Sequence, residues 1–324
     1  MKKILLSVTA LSLALTASAL AADLPYKKAP VVLSPPPPMW TGFYAGVNVG
    51  GKIDASSNTH VANAPVFLNG DGPRAFSLAS ATSAAAAAAG SGYPGTNISG
   101  FIGGGQIGYN YQLGLDGGPG RAWVVGVEAD IQGVTATGGG SNFISAAPLA
   151  SPPFLVPGQA VVGGAYASKS LDYIGTVRGR IGALIDPALL AYVSGGLAYG
   201  GANSSTSQFL TGTAPAFGPF YTPAWGASGS YSDTHTGWTA GAGLEWMFFP
   251  NWSAKVEYLY YDLGSVTYAS GISGAFASPA SIIAGQFLFL NGTWTTARFD
   301  GHIFRAGLNY HFNWAAPAPV LAKY

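Results

Sequence analysis

The chain has 324 residues, of which 8% are charged, with 14 Lys and Arg against 13 Asp and Glu, 47 Gly and no Cys. Ordinary globular proteins carry about 25% charge, so this composition does not build a conventional soluble surface. Balanced charge argues against a nucleic-acid partner, which needs a basic excess, and a chain without Cys has neither disulfides nor thiolate metal sites.

In chain order, residues 1–22 read as a secretory signal peptide. Lys2 and Lys3 give a basic start, Ile4 to Leu15 an apolar stretch, and Ala19-Leu20-Ala21-Ala22 a small-residue cleavage region. No other stretch approaches ~18 consecutive apolar residues, so no membrane-spanning helix is expected. Residues 23–39 read as a periplasmic tether, because Pro30 and Pro35 to Pro38 forbid helix and sheet ladders and favour polyproline II.

The region 40–312 is dominated by alternation. Eight segments show it: Phe43 to Lys52, Phe101 to Tyr111, Trp123 to Gln132, Leu171 to Ala183, Ala191 to Tyr199, Trp238 to Phe248, Trp252 to Tyr260 and Phe304 to Phe312. A period of two sends alternate side chains to opposite faces of a strand. Each segment is roughly 9–13 residues long, which suits a tilted strand crossing a ~25 Å apolar band. The apolar face repeatedly begins or ends in Tyr, Trp or Phe, as interfacial girdles require.

The connections alternate as well. Gly114 to Gly120, Asp186-Pro187 and Phe249-Pro250-Asn251 are short, whereas 54–97, 136–170, 202–235 and 263–299 are long. That pattern predicts an all-β fold: a transmembrane antiparallel up-and-down β-barrel of eight strands, with turns and both chain ends in the periplasm and long extracellular loops. Ala84 to Ala89, a run of high helix propensity, reads as a short surface helix in the first loop. Gln286 to Leu290 reads either as a strand extension above the membrane or as part of a ten-stranded barrel. Residues 313–324 then form a C-terminal periplasmic tail.

Catalytic and cofactor motifs are absent or out of context. Gly103 to Gly108 spells G-x-G-x-x-G, but it continues into Tyr109-Asn110-Tyr111 without the strand-to-helix turn that cradles a pyrophosphate. No nucleophile elbow, zinc-protease or P-loop motif occurs, and no enzymatic role, cofactor or metal is predicted. His302 and His311 are nine residues apart and so lie on opposite faces of one strand.

The inward faces carry the charge. Alternation places Glu128, Asp130, Glu245 and Glu257 there with Arg178, Arg180, Lys255 and Arg305, and Lys52 near one end. Eight strands leave an interior only wide enough for side chains, so these residues are expected to form one hydrogen-bonded ion network. It reads as a polar plug, or alternatively as a gate or narrow conduction path. Equal numbers of each sign favour the plug.

Residues 305–312, Arg305-Ala306-Gly307-Leu308-Asn309-Tyr310-His311-Phe312, resemble the C-terminal assembly signal of outer-membrane barrels, carried by Gly307, Tyr310 and Phe312. With Ala22-Asp23-Leu24-Pro25, the Pro-rich tether, Trp40 to Gly46 and Tyr192 to Gly200, the chain resembles the outer-membrane immunogenic, porin-like family of alphaproteobacteria. Asn313 to Tyr324 depart from that pattern, which usually stops at the terminal Phe. The resemblance implies a surface-exposed eight-stranded barrel with a role in envelope integrity. A narrow porin and an adhesin or receptor acting through its loops are the alternatives. The partners expected are outer-membrane lipid and lipopolysaccharide, the barrel assembly machinery, and host or cell-surface ligands.

Overall fold

A computed structural model of the chain describes residues 40–57, 59–66, 73–114, 122–136, 139–148, 160–213, 226–276 and 287–312. The signal peptide, the tether, the C-terminal tail and most of the 114–120 turn lie outside the described residues. Ten strands and one helix are described: β1 (Gly42–Asp54), β2 (Thr59–Pro65), α1 (Pro73–Gly90), β3 (Ser99–Leu113), β4 (Trp123–Ala136), β5 (Gly140–Pro148), β6 (Ala160–Asp186), β7 (Leu189–Thr213), β8 (Ser228–Phe249), β9 (Trp252–Phe276) and β10 (Phe287–Phe312).

Eight of the ten strands close a ring. β1, β3, β4, β6, β7, β8, β9 and β10 pair antiparallel in that order, and β10 returns to β1 from Phe43↔Phe312 to Asp54↔Gly301. β2 and β5 lie outside the ring; β2 pairs with the far portion of β10 and bridges Gly92 through Val61, and β5 pairs with the far portion of β6. The barrel is therefore eight-stranded, and Phe287 to Leu290 extend β10 against β9. Tight turns at Pro187-Ala188 and Pro250-Asn251 join β6 to β7 and β8 to β9 at the same end as Trp40 and Phe312.

The outer wall of the closed ring follows the period of two. Val47, Val49, Val127, Ile131, Val193 and Val256 point outward and are exposed, while their chain neighbours Asn48, Glu128, Asp130 and Lys255 are buried. Aromatic rings bound this apolar wall on both sides. Tyr111, Trp123, Trp246, Trp252 and Tyr310 lie toward the turns, and Phe101, Trp238 and Tyr258 toward the other end. Trp238 and Trp246 are eight residues apart, about 27 Å along a strand and about 20 Å once tilted. The G-x-G-x-x-G run lies inside β3, paired on both sides, so it is barrel wall.

Beyond that wall the structure departs from the expected long loops. β6, β7, β9 and β10 are 25 to 27 residues long, so much of 160–170, 202–213, 263–276 and 287–299 is strand. β7 runs fourteen residues past Tyr199, from there to Thr213, about 45 Å of strand. The ladder between β8 and β9 stops at Trp238↔Asp262, and bulges interrupt β6 between Leu171 and Ile174 and the β9–β10 pair between Arg298 and Asp300. Gly264, at φ +82°, a conformation other residues rarely adopt, lies in β9 within the bulge opposite Arg298 and Asp300.

Above this level the ring becomes two facing sheets, β5–β6–β7–β8 and β9–β10–β2. Tyr268 Oη of β9 lies 3.0 Å from Ser204 Oγ and 2.8 Å from Thr206 Oγ1 of β7. Thr293 Oγ1 of β10 donates to Gln208 Oε1 of β7 at 2.8 Å.

α1 belongs to this extension and is no surface helix. Ala85, Ala86, Ala87 and Ala89 are buried, and Gln208 Nε2 of β7 donates to the Gly90 carbonyl at 3.1 Å. The fit needs small residues on both sides. A methyl group on Gly163 of β6 would stand 2.7 Å from the Ala89 carbonyl oxygen. The bulge in β6 also reverses one inward assignment. Leu171, which simple alternation puts outside with Val177, is buried in the core, and Asp172 is exposed.

Candidate functional site

The lumen of the closed ring is filled in layers. At the turn end, Trp40, Val124, Leu184, Leu190, Tyr192 and Met247 form an apolar floor. Trp40 is fully buried, and its indole N–H donates to the Pro187 carbonyl at 3.1 Å. The ring of His311 meets Trp40 edge-on at 5.8 Å.

Above the floor lie the eight charged residues that alternation sends inward, and the structure brings all of them into one cluster. Arg178 is its hub. It reaches Glu257 at 2.8 Å, Asp130 at 3.0 Å and Ser194 Oγ at 3.0 Å, and also pairs with Glu128. Arg305 joins Glu257 at 2.6 Å and Asp130 at 2.8 Å. Lys255 donates to Glu128 at 2.8 Å, and Arg180 to Glu245 at 2.9 Å. Arg180 also lies over the Tyr44 ring at 4.7 Å and the Tyr192 ring at 5.2 Å. All eight side chains are 2% exposed or less. Four carboxylates and four cations cancel, which is the condition for holding so many charges away from water.

Neutral groups complete the shell. Tyr44 donates to Glu128 at 2.6 Å, Thr176 to Asp130 at 2.9 Å and Asn309 to Glu245 at 2.7 Å. Asn48, Gln106 and Asn309 continue the chain of amide hydrogen bonds. These were not singled out as site residues, although the count of two that places Glu128 inward places them there too.

A second apolar layer follows, including Ile102, Ile174, Leu259, Tyr261, Leu263 and Ile303. Near it lies a smaller ion group. Lys169 Nζ of β6 reaches Asp54 of β1 at 2.9 Å and the Ser56 carbonyl at 2.6 Å, and Lys52 also pairs with Asp54. Asp300 of β10 accepts the Ser56 amide at 3.1 Å. Sequence reading marked only Lys52, because Lys169 falls in an expected loop.

The three residues of the C-terminal motif sit on β10 where it closes the ring. Tyr310 and Phe312 face outward, their rings 5.2 Å apart, and pair in register with Ala45 and Phe43 of β1. Gly307 faces inward beside Lys255, whose Cγ would stand 3.1 Å from a methyl group there. A methyl there crowds the stem of the lysine that serves Glu128, so Lys255 must shift slightly to admit it. His302 lies on the outer face against Tyr258, apart from the buried His311.

Comparison with known proteins follows the same outline. Residues 7–312 match the family model described as outer membrane protein beta-barrel domain. The chain is 32% identical over 214 residues to the 31 kDa outer-membrane immunogenic proteins of Brucella melitensis and Brucella suis, covering 66% of this chain and 67% of each relative. Among solved structures, the outer membrane protein OprG of Pseudomonas aeruginosa aligns with a TM-score of 0.35 and 11% identity, over 85% of this chain and 98% of that one.

Proposed function

The chain belongs to the outer membrane protein β-barrel family, and from that premise we propose that it is a sealed, non-conducting anchor that holds a rigid β-extension outside the cell. The observation that carries this reading is the stack of buried layers inside the ring among the described residues: the Trp40 floor, the ion cluster and the second apolar layer, with α1 beyond them. A conducting pore needs a wet path, and here paired charges and packed apolar side chains occupy it.

The proposed orientation puts the tight turns, Trp40 and Phe312 in the periplasm and the long-strand end outside, following the general asymmetry of such barrels. Pairing of the first strand, β1, with the last, β10, gives the assembly role of Tyr310 and Phe312 its rationale, because β10 is the strand that closes the ring. Lipid, lipopolysaccharide and the assembly machinery are the corresponding partners. No catalysis is proposed. Ser253, His311 and Glu245 lie together, but Ser253 Oγ at 2.8 Å and Glu245 at 3.5 Å both address His311 Nε2, so no relay passes through the ring.

The test is planar-bilayer conductance of refolded protein. The expected record shows no stable openings. Steady openings in the unmodified protein would reject the sealed barrel and support a narrow porin.

A further inference from the structure

The outer face of β5–β8 in the extension has an unusual make-up. Three of its cross-strand rows are Asn142–Tyr166–Ser207–Ser228, Gly140–Ser168–Ser205–Ser230 and Ser170–Asn203–Ser232, and beyond them lies the apolar row Ile144–Gly164–Phe209, with Ile144 66% exposed. Ser168 and Ser205 hydroxyls meet at 2.8 Å, exposed. Apart from Gly140, these three rows are lines of side chains that both donate and accept hydrogen bonds.

Four aromatic rings lie on this face, each resting on a cross-strand glycine. A methyl on Gly164 would stand 2.7 Å from Phe209 Cε1, and one on Gly201 2.8 Å from Tyr173 Cε1. Tyr166 covers Gly140 and Tyr199 covers Gly175 in the same way. One side of each ring thus packs on glycine backbone and the other faces outward, with Tyr166 50% and Phe209 42% exposed. Aromatic packing over glycine stabilises a strand pair, yet an apolar residue such as Val would do so by β propensity alone.

Charge narrows what can lie on such a face. Among the described residues of this stretch, Asp172 and Asp233 are exposed, and the cations Lys169, Arg178 and Arg180 are buried. Polyanions have no cation to meet there and the exposed Asp172 to avoid; Asp233, paired with the buried Ala202, alternates to the opposite face of β8. Acyl chains would leave the hydroxyl rows without partners.

We infer that this face binds uncharged polysaccharide, and that the source is the saccharide of the outer membrane in which the barrel sits. Sugar rings offer C–H faces that stack on Tyr166 and Phe209, and hydroxyls that match the Ser and Asn rows. Proximity selects the source. The face begins beside Trp238 and Thr236 at the edge of the apolar wall and rises along β7 and β8, through the layer next to the lipid. The inference rests on the outward orientation proposed above.

The experiment uses the refolded full chain in detergent, with lipid-free polysaccharide released by mild acid from the producing bacterium's own lipopolysaccharide, read by saturation-transfer NMR. Heparin serves as the polyanionic comparison. Binding of the polysaccharide is expected to persist from about 0.05 to about 0.5 M salt, since no ion pair is used. Tyr166→Ala and Phe209→Ala should each weaken it about fivefold, by loss of one stacking ring, while keeping heat-modifiable gel mobility. A folded protein that ignores the polysaccharide, binds it equally well in both variants, or binds heparin in a salt-sensitive way overturns the inference. Ser230→Cys separates the two readings, because the chain has no native Cys. Labelling of intact cells by an impermeant maleimide is expected. A labelled face that does not bind sinks the saccharide reading alone, and an unlabelled one sinks the outward orientation with it.

Discussion

Arg178→Met removes the hub of the lumen cluster while retaining much of the side chain's length. Its guanidinium serves Glu257 at 2.8 Å, Asp130 at 3.0 Å and Glu128, with the side chain 1% exposed. Four carboxylates would then face three cations. None is wholly abandoned: Glu257 and Asp130 keep Arg305 at 2.6 and 2.8 Å, and Glu128 keeps Lys255 at 2.8 Å. The loss is therefore shared, which places it near the lower end of the 3–5 kcal/mol range for breaking a buried pair, about 3 kcal/mol. Reversible urea unfolding in lipid vesicles measures it. Adding Glu257→Gln restores three against three and should recover most of the loss, so the two changes are expected to couple strongly. An unchanged unfolding free energy in Arg178→Met would refute the cluster. Simple addition of two separate losses would show that charge balance is not what holds it.

Trp40→Ala should cost about 3–5 kcal/mol by emptying the lumen floor, and bilayer recordings should show brief openings absent from the parent protein. Gly163→Val forces a methyl against the Ala89 carbonyl, at about 1–3 kcal/mol; limited proteolysis should then cut the extension faster while the barrel keeps its heat-modifiable mobility. Phe312→Asp puts a charge on the lipid face of the closing strand, and fractionation should recover less folded protein from the outer membrane. Tyr324→Asp is the control, with no loss expected.

The lumen residues were legible because the membrane gives a strand two unlike solvents. Lipid on one side and a side-chain core on the other make Val127, Ala129 and Ile131 alternate visibly with Glu128, Asp130 and Gln132. In the extension that contrast vanishes. β7 there reads Asn203 to Phe209 with hydroxyls on both faces: Ser204 and Thr206 inward, Ser205 and Ser207 outward. A periodicity of hydrophobicity cannot show when neither face is apolar, so strands looked like loops. Lys169 was missed for the same reason.

The sequence by itself determined the barrel: the eight alternating segments that form the ring, the side their residues face except at the β6 bulge of Leu171 and Asp172, and the balanced charge that must meet inside. These follow from local alternation and composition, which every strand carries alone. Ring closure excluded ten strands. Tertiary structure decided which carboxylate meets which cation, since Arg178 and Glu257 are 79 residues apart and join only through ring closure. It also decided that Ala85, Ala86, Ala87 and Ala89 of the alanine run are buried, because helix propensity says nothing about what covers a helix. Here the helix lies between two sheets, against Gly163 and Gln208 of one and Leu290 of the other, and the closeness of that approach needs side chains as small as alanine.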